Sequence, residues 1–340
     1  MDIVNCTIAD MRTHTCLVSD MRSTREEYTL DTHGFMILHQ ASALLPPQRS
    51  AKQSFSFDDT QQLTEQYFPD LRALLRDNCN ARSIVPFNAV VRQSSTSAHV
   101  GPGSNKPFFV VHCDYSPAGI QEVLRNVAPT FFADLGLNDI TSEAERDIFF
   151  ALRDEIISQE KQNIRQSGAT SHLDWDGSNY KGPRWSVYSV WRSLEKVRSD
   201  PLAVLDPRTA FVRPDFDLGH YNNNSHAHEN GRSYQQLRLP HKNRTGFQAD
   251  YENQNIMPLH PDTPGYKEQL QDESKRHRWL FLDEQEPEEV LVLKLFDSQA
   301  WQKSRRGVVM PGAAHSAFAL PDQDSDKPRR SVEVRFIIFY

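Results

Sequence analysis

The sequence lacks the features of a membrane-spanning, secreted or disulfide-bonded protein. No apolar run approaches the roughly 18–20 residues that a membrane helix needs, and the stretch MDIVNCTIADMRTHTCLVSD has no apolar core of signal-peptide length. The four cysteines show no C-x-x-C spacing, which is typical of reduced thiols in an intracellular protein and not of a zinc site. We therefore expect a cytoplasmic protein that does not contact a membrane.

The chain also lacks the basic excess of a nucleic-acid-binding protein. Its 340 residues carry 38 Lys and Arg against 45 Asp and Glu, which gives a formal net charge of −7. A protein that binds phosphates usually carries a surplus of basic residues. With 38% hydrophobic and 24% charged residues, the composition is that of an ordinary globular protein. We therefore expect no nucleic acid and no anionic membrane among its partners.

Apolar patterning predicts many strands and few helices. Helical spacing covers parts of residues 60–80 and 117–165. Strands do not alternate regularly with helices, which favours a mainly β or α+β single domain over residues 1–340, built on a sheet sandwich. We expect the second and third strands to pair through the polar loop at 94–107. The predicted strands are Gly34–Leu38, Ser83–Gln93, Phe108–Asp114, Arg184–Arg192, Leu202–Leu205, Arg278–Leu282, Val290–Phe296 and Ser331–Phe339.

One segment departs from this pattern. Residues 215–276 are polar, rich in Asn, His and Gln, and low in apolar periodicity. A long segment of this kind in a compact domain is often a functional loop, so we expect an insertion or a lid. Its run His226-Ala227-His228-Glu229 resembles a metal site, but histidines in an irregular polar segment are exposed by default. We assign no ligand role to that run.

The stretch VVHCDYS at 110–116 places an imidazole and a carboxylate two positions apart. Side chains at i and i+2 of a strand point to the same face, so His112 and Asp114 share one space. Cys113 then faces the other way, as a packed thiol. The pair offers a metal one nitrogen and one oxygen, although a lone histidine in a strand is more often a hydrogen-bonded core residue. The triplet alone does not separate the two interpretations.

Two later motifs provide what a mononuclear iron(II) site with two histidines and one carboxylate requires. His315, in MPGAAHSAFALPD, is the candidate second histidine. Fourteen residues later, Arg329 and Ser331 form another i, i+2 pair at the head of the final strand. An arginine fork with a nearby hydroxyl can hold a carboxylate through two hydrogen bonds. H-x-D, a distant His and then R-x-S is the sequence layout of iron(II)/2-oxoglutarate oxygenases.

Longer blocks carry a family resemblance over roughly residues 25–340: VHCDYSPAGIQEVLR, YSVWRSLEKVRSDPLAVLDPRT, HRWLFLDEQEPEEVLVLKLFDS, HSAFALPD and PRRSVEVRFIIF. The chain resembles the fungal and bacterial hydroxylase/desaturase family that includes gibberellin desaturase and relatives of the cephalosporin 7α-methoxylase. The resemblance implies a double-stranded β-helix (jelly-roll) fold, non-heme iron(II), 2-oxoglutarate and a small-molecule substrate, often in secondary metabolism. It implies that His112, Asp114 and His315 bind iron and that Arg329 and Ser331 hold 2-oxoglutarate.

The chain departs from that family at one block. Relatives usually have N-V-W-R-P where residues 189–193 read SVWRS, so the Asn and Pro are missing. A buried Arg192 needs an anion, which leaves two options open: a salt bridge, for example with Asp206, or a contact with substrate or cosubstrate. We include Arg192 among the candidate cofactor-binding residues.

The last strand places Glu333 and Arg335 on the face of Ser331. The two charged side chains are expected to pair beside the cofactor, unless the strand twists one of them outward.

The activity implied by the resemblance is oxidation of an unactivated C–H bond of a small molecule with dioxygen, by hydroxylation, desaturation or oxidative cyclisation. Two alternatives remain. One is an iron-dependent oxidase that does not use 2-oxoglutarate, and the other is a non-catalytic β-sandwich binding protein. The sequence fixes neither the substrate nor the oligomeric state, and a homodimer is common for chains of this size.

Overall fold

The computed structural model describes residues 18–42, 44–45, 55–93, 106–115, 119–169, 177, 179–206, 278–300, 302, 304–305, 309–310, 312–321, 323 and 327–340, and the backbone alone of 117–118, 234–241 and 251–258. The helices are α1 (Leu30–His33), α2 (Thr60–Gln62), α3 (Phe68–Asn78), α4 (Pro117–Arg125), α5 (Phe131–Asp134) and α6 (Glu143–Ser167). The strands are β1 (Val18–Asp20), β2 (Phe35–His39), β3 (Ser83–Gln93), β4 (Trp185–Ser193), β5 (Leu202–Leu205), β6 (Tyr234–His241), β7 (Tyr251–Pro258), β8 (Trp279–Phe281), β9 (Glu289–Asp297), β10 (His315–Ala317) and β11 (Arg330–Phe339).

The larger sheet is antiparallel and has the strand order β2-β9-β4-β11-β3. Every residue of β4 and β9 is buried. Strands that are covered on both faces read as continuous apolar runs, which is why VLVLKLF was recognisable as a central strand. The final strand, expected from its clean alternation, lies inside this sheet between β4 and β3.

The smaller sheet has the order β1-β8-β5-β10, with a parallel β1–β8 pair and antiparallel pairing elsewhere. An isolated bridge from His112 to His315 in β10 extends its edge. The predicted strand Phe108–Asp114 is therefore reduced to a bridge and does not pair with β3. Instead β3 pairs with β11 along its length, so the two segments lie in different sheets.

Helices cover the larger sheet. The long helix α6 begins at Ser142, whose side chain and that of Glu145 form a capping box that satisfies the first backbone donors. Its buried Phe149 packs against Phe339 of β11, with ring centroids 5.3 Å apart. The single helical run expected over 117–165 is divided into α4, α5 and α6 by short turns. The expected combination of helices with antiparallel sheets is confirmed.

The segment 215–276 is described only through β6 and β7, which pair with each other as an antiparallel two-stranded sheet. The run His226–Glu229 lies outside the described residues, so the expected insertion or lid stays a prediction. Among the described residues, no helix combines the length and the apolar character that crossing a bilayer requires.

Candidate metal centre

Three metal-ligating side chains meet where the bridge joins β10. His112 N donates to His315 O at 3.2 Å, and His315 N donates to His112 O at 2.9 Å, so the two backbones are locked side by side. One nitrogen of each ring and one oxygen of Asp114 all lie within 4.8 Å of one another. Asp114 Oδ1 is 3.7 Å from His112 Nε2, and Asp114 Oδ2 is 3.7 Å from His315 Nε2. The structure thus brings the three predicted ligands together.

Both imidazole rings are oriented by their own backbones. His112 Nδ1 lies 2.8 Å from the carbonyl oxygen of Val110, and His315 Nδ1 lies 3.0 Å from that of Ala313. A carbonyl oxygen only accepts, so each Nδ1 carries the proton and each Nε2 presents a lone pair towards Asp114. A hydrogen bond of this kind at the far nitrogen is the usual support of a metal-binding histidine.

The electrostatics of the site favour the forms that bind a metal. Burial and the neighbouring His315 lower the pKa of His112 to about 4. Burial opposes ionisation of Asp114, but Arg335 and the two histidines outweigh it and lower the pKa of Asp114 to about 2. Asp114 Oδ2 is buried and has no hydrogen-bond partner among the described residues. Two imidazole nitrogens and an ionised, unpartnered carboxylate oxygen are the donor set that iron(II) takes, so the residues present fit that metal.

Arg335 and Glu333 form a charged pair next to the carboxylate of Asp114. Arg335 Nη2 donates to Asp114 Oδ1 at 3.0 Å, and Arg335 Nε donates to Glu333 Oε1 at 2.8 Å. Glu333 Oε1 also accepts from Ser189 Oγ at 3.0 Å. The expected Glu333–Arg335 pair beside the site is confirmed, and the strand twists neither side chain outward.

The two histidines of the centre line a small cavity. Residues from both sheets and from the bridge segment line it: Arg92, Phe108, His112, Trp191, Leu202, Leu293, His315, Ala317, Arg329, Glu333 and Arg335. The cavity therefore lies between the two sheets, with charged groups at one wall and apolar side chains around the rest.

Arg329 lies in this cavity together with the two histidines. Its guanidinium lies over the ring of Trp191, 5.3 Å from the centroid, and Nη1 donates to the carbonyl of Asp200. Arg329 Nε is buried without a hydrogen-bond partner among the described residues. Burial lowers the pKa of Arg329 to about 10, which still leaves it cationic at neutral pH. Ser331 is buried on the same strand, and its Oγ has no partner among the described residues, although Ser331 is not part of the cavity lining.

The structure does not bring Arg192 to the cavity. Trp191 pairs with Glu333 across β4 and β11 and shares the cavity with it, so the next residue points to the opposite face. There Arg192 donates to Tyr67 Oη at 3.1 Å, to the Gln40 carbonyl at 3.0 Å and to the Pro287 carbonyl at 2.8 Å. The predicted contact between Arg192 and the cosubstrate is not supported, because the N–H groups of the guanidinium already donate to these uncharged oxygens.

Cys113 behaves as expected, since it is buried and its burial raises the pKa of its thiol. Sequence reasoning missed Arg92 and Phe108. Phe108 packs edge-on against His112, with ring centroids 4.8 Å apart, and the period of two that links residues 108, 110 and 112 was a signal for it. Arg92 reaches the cavity because β3 pairs with β11, which no local pattern shows.

Comparisons with known proteins give a family and several relatives. A family model described as "Oxidoreductase/YMDC permease-like domain" matches residues 3–139 and 249–339. "Gibberellin cluster GA4 desaturase" of Gibberella fujikuroi is 22% identical over 98% of this chain and 89% of its own length. "Fe(II)/2-oxoglutarate-dependent dioxygenase nvfI" of Aspergillus novofumigatus is 25% identical over 96% of this chain and 83% of its own. These relatives confirm the expected resemblance to hydroxylases and desaturases.

A solved structure is also similar. The "iron and alpha-ketoglutarate-dependent endoperoxidase NvfI" superposes with a TM-score of 0.55 at 22% identity, covering 95% of this chain and 84% of that one. At this identity the likeness concerns the fold alone.

Proposed function

This chain belongs to the oxidoreductase/YMDC permease-like domain family, and from that premise we propose that it is a non-heme iron(II)/2-oxoglutarate-dependent dioxygenase. It oxidises an unactivated C–H bond of a small molecule, with hydroxylation, desaturation and oxidative cyclisation as the outcomes open to it. The observation that carries the proposal is the cluster of His112, Asp114 and His315, whose two histidines line one cavity with the cationic Arg329. Relatives named as Fe(II)/2-oxoglutarate dioxygenases support it, and we place the activity in secondary metabolism.

The residues of the chain divide the work in this proposal. His112, Asp114 and His315 would hold iron(II) through the two Nε2 atoms and a carboxylate oxygen. Arg329 holds the far carboxylate of 2-oxoglutarate, with Ser331 beside it on the strand. Trp191 packs under the guanidinium of Arg329 and keeps it oriented.

When bound, iron(II) and 2-oxoglutarate would supply the oxidising chemistry: dioxygen would be consumed as 2-oxoglutarate is converted to succinate and carbon dioxide. The chain keeps the site dry and orients the substrate. Apolar walls from Phe108, Leu202, Leu293 and Ala317 exclude water and give an organic substrate a surface to pack on. The position of the substrate C–H bond in this cavity decides which of the three outcomes occurs.

The architecture proposed with this function is a double-stranded β-helix in one domain over residues 1–340. Two facing sheets with the ligands between them support it. A cytoplasmic location and a homodimer remain predictions, which cell fractionation and light scattering on the purified chain would test.

The test is an anaerobic titration with iron(II) and then 2-oxoglutarate, followed by visible absorption. The expected result is a metal-to-keto-acid charge-transfer band that is lost in His112→Ala and weakened in Arg329→Ala. Cys113→Ala is the matched control, because this buried residue lies between two ligands in the sequence but is not part of the metal-binding cluster. It should keep the band.

The other outcomes separate the alternatives. Iron binding without the band, with turnover of substrate by iron and oxygen alone, would indicate an oxidase that does not use 2-oxoglutarate. No iron binding by the folded wild-type chain would overturn the proposal and favour a non-catalytic binding protein.

A further inference from the structure

Arg335 is the side chain that joins the candidate ligand Asp114 to the rest of the cavity wall. It spans two carboxylates with separate nitrogens, 3.0 Å from Nη2 to Asp114 Oδ1 and 2.8 Å from Nε to Glu333 Oε1. Glu333 is fixed in turn by Ser189 Oγ, and Arg92 Nη2 lies 3.7 Å from its second oxygen. The arrangement is a buried chain of contacts that runs from Ser189 through Glu333 and Arg335 to Asp114.

We propose that Arg335 is a positioning residue that keeps Asp114 a single-oxygen ligand and holds Glu333 away from the metal. This inference rests on the proposed iron site. Arg335 occupies Asp114 Oδ1, whereas Oδ2 is buried without a described partner. The metal therefore receives Oδ2, and the opposite oxygen stays with the guanidinium.

The physical reason for this role of Arg335 is the number of carboxylate oxygens near the proposed metal site. Asp114 and Glu333 both accept a hydrogen bond from Arg335, and both are buried. Carboxylates bind divalent cations through one oxygen or two, so an unrestrained pair could fill positions that a chelating keto acid and dioxygen need. A guanidinium fork satisfies both carboxylates at once and in fixed directions, which a lysine ammonium cannot reproduce.

Arg335 also limits the charge at the site. Without it, the buried carboxylates of Asp114 and Glu333 would lose the cation that they share, and Glu333 would keep only Arg92 at 3.7 Å. Buried charges of one sign disfavour joint ionisation. Paired with Glu333, the guanidinium adds no net charge beside a divalent ion.

The experiment measures the cobalt(II) form, which reports coordination without turnover. Visible spectra of cobalt(II)-loaded wild-type and Arg335→Met chains are recorded, and 2-oxoglutarate is then titrated into each. We expect Arg335→Met to bind cobalt(II) with a changed d–d band intensity, because an additional carboxylate oxygen enters the coordination sphere. We also expect its dissociation constant for 2-oxoglutarate to rise by about tenfold or more.

Further variants distinguish positioning from folding. Arg335→Lys keeps the charge but not the fork, and an intermediate shift is expected, so the test survives if Arg335→Met does not fold. Adding Glu333→Ala to Arg335→Met should recover part of the 2-oxoglutarate affinity, since the competing carboxylate is gone. Arg184→Met is the matched control, because Arg184 also bridges two carboxylates, Asp297 and Asp31, each at 2.6 Å. It should leave the cobalt(II) spectrum unchanged.

Two results are decisive against the inference. A folded Arg335→Met chain with the wild-type cobalt(II) spectrum and 2-oxoglutarate affinity would overturn it while leaving the metal site intact. A wild-type chain that binds neither cobalt(II) nor iron(II) would overturn the proposed function itself. If the double variant recovers no 2-oxoglutarate affinity, Glu333 is not the competing ligand and that half of the inference is wrong.

Discussion

Replacing Arg192 by Met tests the finding that this side chain is structural. Arg192 is fully buried, and its hydrogen bonds reach Tyr67 Oη, both oxygens of Gln40 and the Pro287 carbonyl. Met fills a similar volume but donates no hydrogen bond, so these buried acceptors lose their partner. An unsatisfied buried polar group costs about 1–3 kcal/mol, and partial relaxation brings the expected loss to roughly 3–5 kcal/mol in total. That is a large share of the free energy of unfolding of a typical domain.

The assay is urea unfolding followed by far-ultraviolet circular dichroism. We expect a lower urea midpoint and an unchanged dependence of the unfolding free energy on urea concentration, because the surface exposed on unfolding stays the same. Arg329→Met is the comparison, because Arg329 loses only the hydrogen bond from Nη1 to the Asp200 carbonyl, while its Nε has no described partner. Its removal should cost at most about 1–2 kcal/mol. The reasoning fails if Arg192→Met unfolds at the wild-type midpoint but no longer binds 2-oxoglutarate, a result that would restore the cosubstrate role of Arg192.

Three other perturbations follow from the packing. Burial raises the pKa of Glu160 to about 8 against the opposing charge of Arg125. The folded chain therefore loses stability as the pH rises from the pKa of Glu160 in the unfolded chain through about 8. Glu160→Gln should flatten the decline of melting temperature between about pH 5 and pH 9. An equal decline in both chains would contradict this. Phe149→Ala empties a fully buried position in the aromatic cluster and should cost about 3–5 kcal/mol in urea unfolding. Gly34 has φ 73°, and an added Cβ would lie 3.2 Å from the Gly312 carbonyl carbon. Gly34→Ala should therefore lower the unfolding free energy by about 1–2 kcal/mol or more. An unchanged urea midpoint would show that the backbone shifts at no cost.

Local rules accounted for much of the candidate site. The period of two in strands placed His112 with Asp114, and Glu333 with Arg335, before any partner strand was known. The structure keeps both pairs together even though Phe108–Asp114 is a bridge and not a regular strand. Short-range geometry decides such pairs, because the two side chains are separated by only one residue.

The same rule could not say which face of a strand meets the site. It states that Trp191 and Arg192 point in opposite directions, but only the pairing of Trp191 with Glu333 shows which of them enters the cavity. A one-residue change of register would have exchanged them. For this reason the sequence left Arg192 between a structural and a cosubstrate role.

What the sequence determined by itself is the set of elements and the chemistry they carry: apolar runs for the buried strands, an acidic balance without a membrane helix, and the ordered H-x-D, His and R-x-S motifs. Tertiary structure alone decided the partners. It placed His112 beside His315 across the edge of one sheet, Arg92 and Phe108 in the cavity, and Arg335 on Oδ1 of Asp114. The physical reason is that alternation along a strand is set by neighbouring residues, whereas register and sheet order depend on backbone hydrogen bonds between segments far apart in the chain.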